Sequence, residues 1–152
     1  CLPAGPLREP VSRLKEVQAR VTLGEARAGE WALALAAKSF HRLEAPEVTA
    51  EADRFQGQSV HAVAGIGHPA RFFDQLRRLG LDIVPHPFPD HHRFHERDLV
   101  FGDARETVMT QKDAVKCERL AGVTGWYLAV EARPDPAFAE LVQRWLKERT
   151  HG

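Results

Sequence analysis

The spacing of apolar positions changes several times along the chain, and each spacing predicts a different element. Residues 59–64 (SVHAVA) include the β-branched Val60 and Val63, which favours a buried strand. The tight turn Gly65-Ile66-Gly67 follows, and Pro69 suits the first position of a helix. The apolar stripe of this helix has helical spacing and consists of Phe72, Phe73, Leu76 and Leu79. Gly80 is suited to end the helix.

Strands and helices alternate in the rest of the chain as well. Further strands are predicted at residues 20–23, 31–43, 81–85, 107–109 and 126–130. Further helices are predicted from Pro10, at 96–101, at 110–120 and from 135 onward. This alternation is typical of a sheet covered by helices. The predicted fold class is therefore α/β, with a mostly parallel sheet flanked by helices.

Composition narrows the class of protein. The chain has 152 residues, of which 43% are hydrophobic and 28% are charged, as in an ordinary globular domain. Lys plus Arg (21) balance Asp plus Glu (21), which argues against a protein that binds nucleic acid through its phosphates. The longest apolar run, residues 31–37, is far shorter than the roughly 20 residues of a membrane-spanning helix.

The two cysteines, Cys1 and Cys117, form no CxxC pair, which excludes a disulfide scaffold or a thiolate zinc site and fits a reducing cytosol. The chain begins with Cys1 instead of methionine. We therefore expect that it was processed or that sequence was removed upstream.

The pattern Gly65-x-Gly67-x-x-Ala70 lies between a predicted strand and a predicted helix, as in a dinucleotide-binding fingerprint. Asp90 even follows Ala70 by about 20 residues. The alternative is a tight turn that needs glycine for its backbone. Because Pro69 removes one N–H and His68 crowds the turn, the sequence favours this alternative.

Histidines concentrate after the predicted strand at 81–85. Four of the eight lie within ten residues, beside Asp90, and they are His86, His91, His92 and His95. Imidazole transfers protons near pH 7, and a neighbouring carboxylate orients it. A metal site that includes Asp90 and a polar loop without function are the alternatives. The sequence favours Asp90-His91-His92 as a functional motif.

A third element is the junction before the predicted helix at 110–120. Thr110 and Asp113 have the spacing of a capping box, with Asp in place of the usual Glu. Lys112 is unfavourable in a first helical turn, so its position implies a partner, which could be an anion, Asp113 or Glu118. The sequence contains no GxxxxGK[ST] loop, no GxSxG elbow and no HExxH motif.

Four segments of the chain resemble, in the same order, the tetraacyldisaccharide 4′-kinase family, the lipid A 4′-kinases of Gram-negative bacteria. They are LPAGPLREP (2–10), HAVAGIGHPARFF (61–73), PFPDHH (87–92) and MTQKDAVKC (109–117). The chain is similar to the C-terminal portion of the family. The resemblance implies that residues 1–20 are the tail end of an N-terminal P-loop domain and connecting helix. Residues 21–152 would be the C-terminal α/β domain.

The resemblance implies a kinase that transfers the γ-phosphoryl group of ATP, with Mg²⁺, to the 4′-hydroxyl of a lipid disaccharide. The family works at the cytoplasmic face of the inner membrane, so we expect a peripheral protein that contacts this surface and no nucleic acid. The Walker A loop and the catalytic aspartate of the family lie in its N-terminal domain. Neither occurs here, so we expect the 152 residues alone to be inactive.

The resemblance also assigns roles to residues. His91 matches the family histidine that assists the catalytic aspartate, and Asp90 would orient or charge it. Glu9 matches an acid of the Mg²⁺ site. Contacts with substrate or phosphate are expected from Arg8, His92 and Lys112.

Two alternatives from other classes remain open at this point. One is a metal-dependent phosphoesterase that uses the Asp-His-His run, although no two aspartates are spaced as DxD. The other is a non-catalytic module that binds a nucleotide at the turn Gly65-Ile66-Gly67.

Overall fold

A computed structural model describes residues 11–118, 120 and 122–150 of the chain. The strands are β1 (Val21–Leu23), β2 (Trp31–Arg42), β3 (Thr49–Ala50), β4 (Ser59–Ala64), β5 (Asp82–Pro87), β6 (Thr107–Thr110) and β7 (Trp126–Pro134). The α-helices are α1 (Pro69–Arg78), α2 (Gln111–Cys117) and α3 (Pro136–Thr150). Short 3-10 helices span Val11–Lys15, Ala52–Phe55 and Glu96–Leu99. The predicted α/β class is confirmed, and the sheet is mixed.

Several predicted elements are shorter than expected. The helix predicted at 110–120 ends at Cys117, and Leu120 donates its N–H to the Cys117 carbonyl in a tight turn. The helices predicted at 96–101 and from Pro10 are single 3-10 turns. In the latter segment Leu14 and Val17 are exposed, so they do not form a buried stripe.

The described residues divide into two compact units, of which the larger spans Ala37–Glu131. In this unit the strand order is β2, β7, β6, β4, β5, and β3 pairs with β2 in the antiparallel sense. Along the series β7, β6, β4 and β5, each strand is parallel to the next. These parallel strands are the part of the sheet that the sequence pattern predicted best.

The second unit comprises residues 11–36 and 132–150 of the described chain. Here β1 pairs in parallel with the start of β2, and Val21 is opposite Trp31. The Trp31 ring packs on Phe138 of α3, with 5.6 Å between ring centroids. Trp145 is only half-buried and Leu146 is exposed, so the apolar side chains of α3 are incompletely covered. A domain boundary at residue 20 stays a prediction.

Both faces of the sheet in the larger unit are covered. Alternate residues of a strand point to opposite faces. One face carries Val60, Ala62 and Ala64 of β4 together with the apolar stripe of α1. The other carries Val63 and Met109, packed against Ala114 and Cys117 of α2. Helices α1 and α2 therefore lie on opposite faces. Burial raises the pKa of the Cys117 thiol to about 11, so this cysteine is a packing residue.

Candidate functional site at the carboxyl edge of the sheet

Strands β4, β5 and β6 end at one edge of the sheet. Ala64, the last residue of β4, is opposite Pro87, the last residue of β5. Val63 is opposite Met109 of β6. Because α1 follows β4 and α2 follows β6 on opposite faces, the two adjacent strands form a crevice at their carboxyl ends. In open α/β sheets this is where ligands bind.

Asp90 and His91 lie at this edge, in the loop after β5. Asp90 Oδ1 accepts a hydrogen bond from the His91 N–H at 3.0 Å, and Oδ2 is 3.6 Å from His91 Nε2. His91 is the one described non-glycine residue with positive φ, at 61°. Its side chain is 78% exposed. Strained, exposed residues of this kind are concentrated at functional sites, so the structure favours a functional reading of the motif.

Lys112 joins this pair from the first turn of α2. Its ammonium group donates to Asp90 Oδ1 at 3.3 Å. This hydrogen bond, more than the charge of His91, holds the pKa of Asp90 below its ordinary value. The partner of Lys112 is therefore Asp90, and not Asp113 or Glu118 as the sequence suggested.

Asp113 fixes the turn after β4 to the start of α2. The carboxylate is fully buried, and its Oδ2 accepts from the Gly65 N–H at 2.8 Å and from the Thr110 hydroxyl at 2.7 Å. In return Thr110 Oγ1 caps α2 by accepting from the Asp113 N–H. The capping spacing predicted one half of this arrangement, and the bond to Gly65, 48 residues away, was missed.

Lys116 completes the contact with Gly65. Its ammonium group donates to Asp113 Oδ1 at 2.6 Å and to the Gly65 carbonyl at 3.1 Å, and it lies 5.5 Å from the centre of the Phe94 ring. A Cβ on Gly65 would be 3.1 Å from this ring and 3.2 Å from Asp113 Oδ1. Glycine fits best here, because a Cβ would force the Phe94 ring or Asp113 to shift by a few tenths of an ångström.

These contacts discriminate between a nucleotide-binding turn and a purely structural turn at Gly65-Ile66-Gly67. In a nucleotide-binding turn, free backbone N–H groups face the phosphates. The N–H of Gly65 is already bonded to a buried carboxylate. The structure therefore favours a tight turn stabilised by Asp113 and Lys116 over a phosphate cradle.

The histidine cluster of the sequence does not converge in space. His92 Nε2 is 3.1 Å from Asp98 Oδ2, and its ring packs on Phe88 and Phe94. The structure thus places His92, an expected substrate contact, against Asp98. Over the described parts of the chain, no group of three or more His, Cys, Asp or Glu residues is arranged to hold a metal ion. This arrangement does not fit the metal site that the cluster suggested.

His86 belongs to a separate chain of polar contacts, which sequence reasoning missed. His61 Nδ1 is 2.9 Å from His86 Nε2, and His61 Nε2 is 3.0 Å from Asp103 Oδ1. Because a carboxylate can only accept, Nε2 of His61 carries the proton that faces Asp103. The Phe101 ring lies 4.1 Å from both imidazoles, centroid to centroid. In the sequence, His61 within the predicted buried strand at 59–64 was the signal that could have indicated these contacts.

The environment of His86 predicts a pH-dependent stability. Burial, and then the charge of His61, lower the pKa of His86 below its ordinary value of 6.5. The unfolded chain therefore takes up a proton at higher pH than the folded one. Stability from this group is complete above pH 6.5 and is lost as the pH falls towards the folded pKa.

Urea unfolding at about pH 7.5 and about pH 5.5 measures this loss. His86→Gln should reduce the difference in unfolding free energy between the two pH values. The control His68→Asn, at an exposed position, should keep it. An unchanged difference in His86→Gln would contradict the assignment to His86.

Two expected site residues, Arg8 and Glu9, lie outside the described residues. The expected Mg²⁺ ligand Glu9 is therefore not part of the geometry above. Within the described residues no helix has the length and apolar character needed to cross a membrane.

Comparison with known proteins agrees with the resemblance seen in the sequence. A family model described as LpxK, tetraacyldisaccharide-1-P 4′-kinase, matches residues 1–147. A tetraacyldisaccharide 4′-kinase of Alkalilimnicola ehrlichii is 50% identical over 144 residues, which are 94% of this chain and 43% of that protein. One of Azoarcus sp. is 47% identical and covers 99% of this chain and 46% of that protein.

The match lies in the C-terminal part of these relatives, and the chain spans less than half of their length. Among solved structures, the crystal structure of LpxK from Aquifex aeolicus in complex with ATP is similar, with a TM-score of 0.60 and 22% identity. The matched region covers 95% of this chain and 47% of the Aquifex aeolicus chain. At this identity the likeness supports the fold alone.

Proposed function

Because this chain belongs to the tetraacyldisaccharide 4′-kinase family, we propose that it is the C-terminal part of an enzyme of lipid A biosynthesis. The enzyme transfers the γ-phosphoryl group of ATP to the 4′-hydroxyl of a tetraacyldisaccharide 1-phosphate. The observation that carries this proposal is the match of the family model to residues 1–147, which include all four motifs. The exposed Asp90 and His91 at the carboxyl edge of the sheet are the groups available for the reaction.

In the proposed reaction the 4′-oxygen bonds to the γ-phosphorus, the bond to the β-phosphate oxygen breaks and the hydroxyl proton is released. ATP would supply the phosphoryl group, and the Mg²⁺ bound with it would neutralise part of the negative charge of the phosphates. Both would be held mainly by residues upstream of this chain, with Arg8 and Glu9 adjoining them. Phosphoryl transfer depends on positioning and electrostatics.

His91 suits a positioning and electrostatic role in this reaction. Its imidazole is exposed, so it can approach a carboxylate on another part of the enzyme that accepts the hydroxyl proton. Asp90 Oδ2 is 3.6 Å from Nε2 of this ring, close enough to orient the imidazole. We therefore propose that His91 orients the proton acceptor and that Asp90 orients His91.

The substrate class determines where we propose the enzyme works. A disaccharide with four acyl chains resides in a membrane, because each buried methylene contributes about 0.8 kcal/mol to partitioning. We propose a peripheral protein at the cytoplasmic face of the bacterial inner membrane, where ATP is available.

A chimeric enzyme tests the proposed function. The N-terminal part of the Alkalilimnicola ehrlichii relative, up to the point where the match begins, would be joined to this chain. We expect the chimera to transfer labelled γ-phosphate from ATP to the lipid disaccharide and the 152-residue chain alone to transfer none. The intact relative is the positive control.

The outcomes separate the proposals. The proposed activity would be contradicted if the chimera folds but does not phosphorylate the lipid, while the intact relative is active in the same assay. Turnover by the chain alone would show that the upstream part is not needed for catalysis. Release of inorganic phosphate from a phosphoester by the chain alone, with a bound metal ion, would support a phosphoesterase instead.

A further inference from the structure

The position of Lys112 is not explained by helix stability. A lysine in the first helical turn is repelled by the positive end of the helix dipole. Its ion pair with Asp90 joins two half-exposed side chains, and such pairs contribute little to folding stability. The pair does, however, connect two separate elements, the start of α2 and the loop that carries His91. This connection points to a role in the site.

We propose that Lys112 is a positioning residue that sets the orientation of His91 through Asp90. This inference rests on the proposed function, in which His91 acts in the kinase reaction. Oδ1 of Asp90 accepts from both the Lys112 ammonium and the His91 N–H. A single carboxylate oxygen thus links α2 to the backbone of His91.

The backbone of His91 explains why such a link is needed. Its φ of 61° lies in the left-handed region, which a histidine adopts at a cost. An Asp90 side chain held only by its neighbour in sequence could rotate away and release that conformation. Lys112 holds the same oxygen from across the crevice, 22 residues along the chain. The orientation of the imidazole therefore depends on α2.

Helix α2 is suited to this role because it is anchored to β4. Its Asp113 and Lys116 bind the N–H and the carbonyl of Gly65, respectively. On the other side, a Cβ on Gly67 would lie 3.6 Å from Asp90 Oδ2, so Asp90 also adjoins the turn after β4. Both ends of the link between Lys112 and His91 thus adjoin the same turn after β4.

The alternative is a direct contact between Lys112 and a phosphate of the substrate. The two roles differ in what they predict. A direct contact made equally in the ground state and the transition state raises KM when removed, whereas lost positioning lowers kcat. The conservative variant discriminates further, since arginine can also donate to Asp90.

The experiment uses the chimeric enzyme with Lys112→Gln, Lys112→Arg and the control Lys38→Gln, an exposed lysine of β2. We expect Lys112→Gln to lower kcat about tenfold, because small misplacements of catalytic groups have effects of at least this order. The KM values for ATP and lipid and the melting temperature should not change. Lys112→Arg should restore most of kcat, and Lys38→Gln should have no effect.

A double-mutant cycle with His91→Ala tests whether Lys112 acts through His91. If it does, Lys112→Gln in the His91→Ala background lowers kcat no further. An additive effect would overturn the proposal, as would an unchanged kcat in Lys112→Gln. A raised KM for lipid with kcat preserved would assign Lys112 to the substrate instead.

A structural readout keeps this test separate from the proposed function. In the 152-residue chain, the backbone amide signal of His91 in NMR spectra should move in Lys112→Gln and stay in place in Lys38→Gln. If the chimera is inactive, the proposed function fails, yet this signal still reports on the link. An unmoved His91 amide in Lys112→Gln would overturn the link whatever the activity.

Discussion

Replacing Asp113 with alanine is expected to lower the free energy of unfolding by about 3–5 kcal/mol, the usual cost of removing one partner of a buried ion pair. The carboxylate is fully buried and accepts hydrogen bonds from the Gly65 N–H, the Thr110 hydroxyl and Lys116. Its removal leaves the buried Gly65 N–H without its acceptor and takes away the carboxylate partner of Lys116. Only the hydrogen bond from Lys116 to the Gly65 carbonyl would then still connect α2 with the turn after β4.

Urea denaturation of the 152-residue chain measures this change. Asp82→Ala, at an exposed position in β5, is the matched control and should stay within about 0.5 kcal/mol of the parent. Asp113→Asn keeps the shape and some acceptors but loses the charge, so we expect an intermediate loss. If the alanine variant does not fold, Asp113→Asn provides the measurement. A loss of under about 1 kcal/mol in both variants would contradict the structural role of Asp113.

This role accounts for the motif MTQKDAVKC, whose purpose the sequence alone did not reveal. Thr110, Asp113 and Lys116 hold the turn after β4, and Lys112 reaches Asp90. Residues on one short helix thus organise two loops at the edge where β4 and β6 end. The charged residues of the motif thus contact other groups of the protein itself at this edge.

Local patterns made much of the fold predictable. The order of strand, turn and helix from Ser59 to Arg78 follows from β-branched residues, a glycine turn and a proline at the helix start. The strand predicted at 31–43 is β2, which spans Trp31–Arg42 although alanine favours helices. In both cases the signal is local, within 20 consecutive residues for the first and 12 for the second.

The contacts that build the site were less predictable because they join distant parts of the chain. Gly65 and Asp113 are 48 residues apart, and His61 and Asp103 are 42 apart. Neither pair has a local signature, since each depends on which strands are adjacent and on their register. The same limit explains His92, which is next to His91 in sequence but contacts Asp98. Clustering in sequence did not predict clustering in space.

Replacing His91 with alanine in the chimeric enzyme is expected to lower kcat by about 100-fold, within the range of removing a well-placed acid–base group. The imidazole is exposed and makes few contacts beyond Asp90, so the melting temperature should change little. The KM for ATP should also stay constant, because the nucleotide is proposed to be bound upstream. Steady-state kinetics with labelled ATP measures all of these except stability.

His68→Asn is the matched control, since it also removes an exposed imidazole near the same edge of the sheet. It should retain kcat within about twofold, as expected of a surface position. Because His91 is linked to Asp90 and through it to Lys112, a fall in kcat confined to His91→Ala would assign the effect to this motif and not to its surroundings. Equal losses in both variants would point to a general disturbance of this edge, and an unchanged kcat in His91→Ala would remove His91 from the proposed reaction.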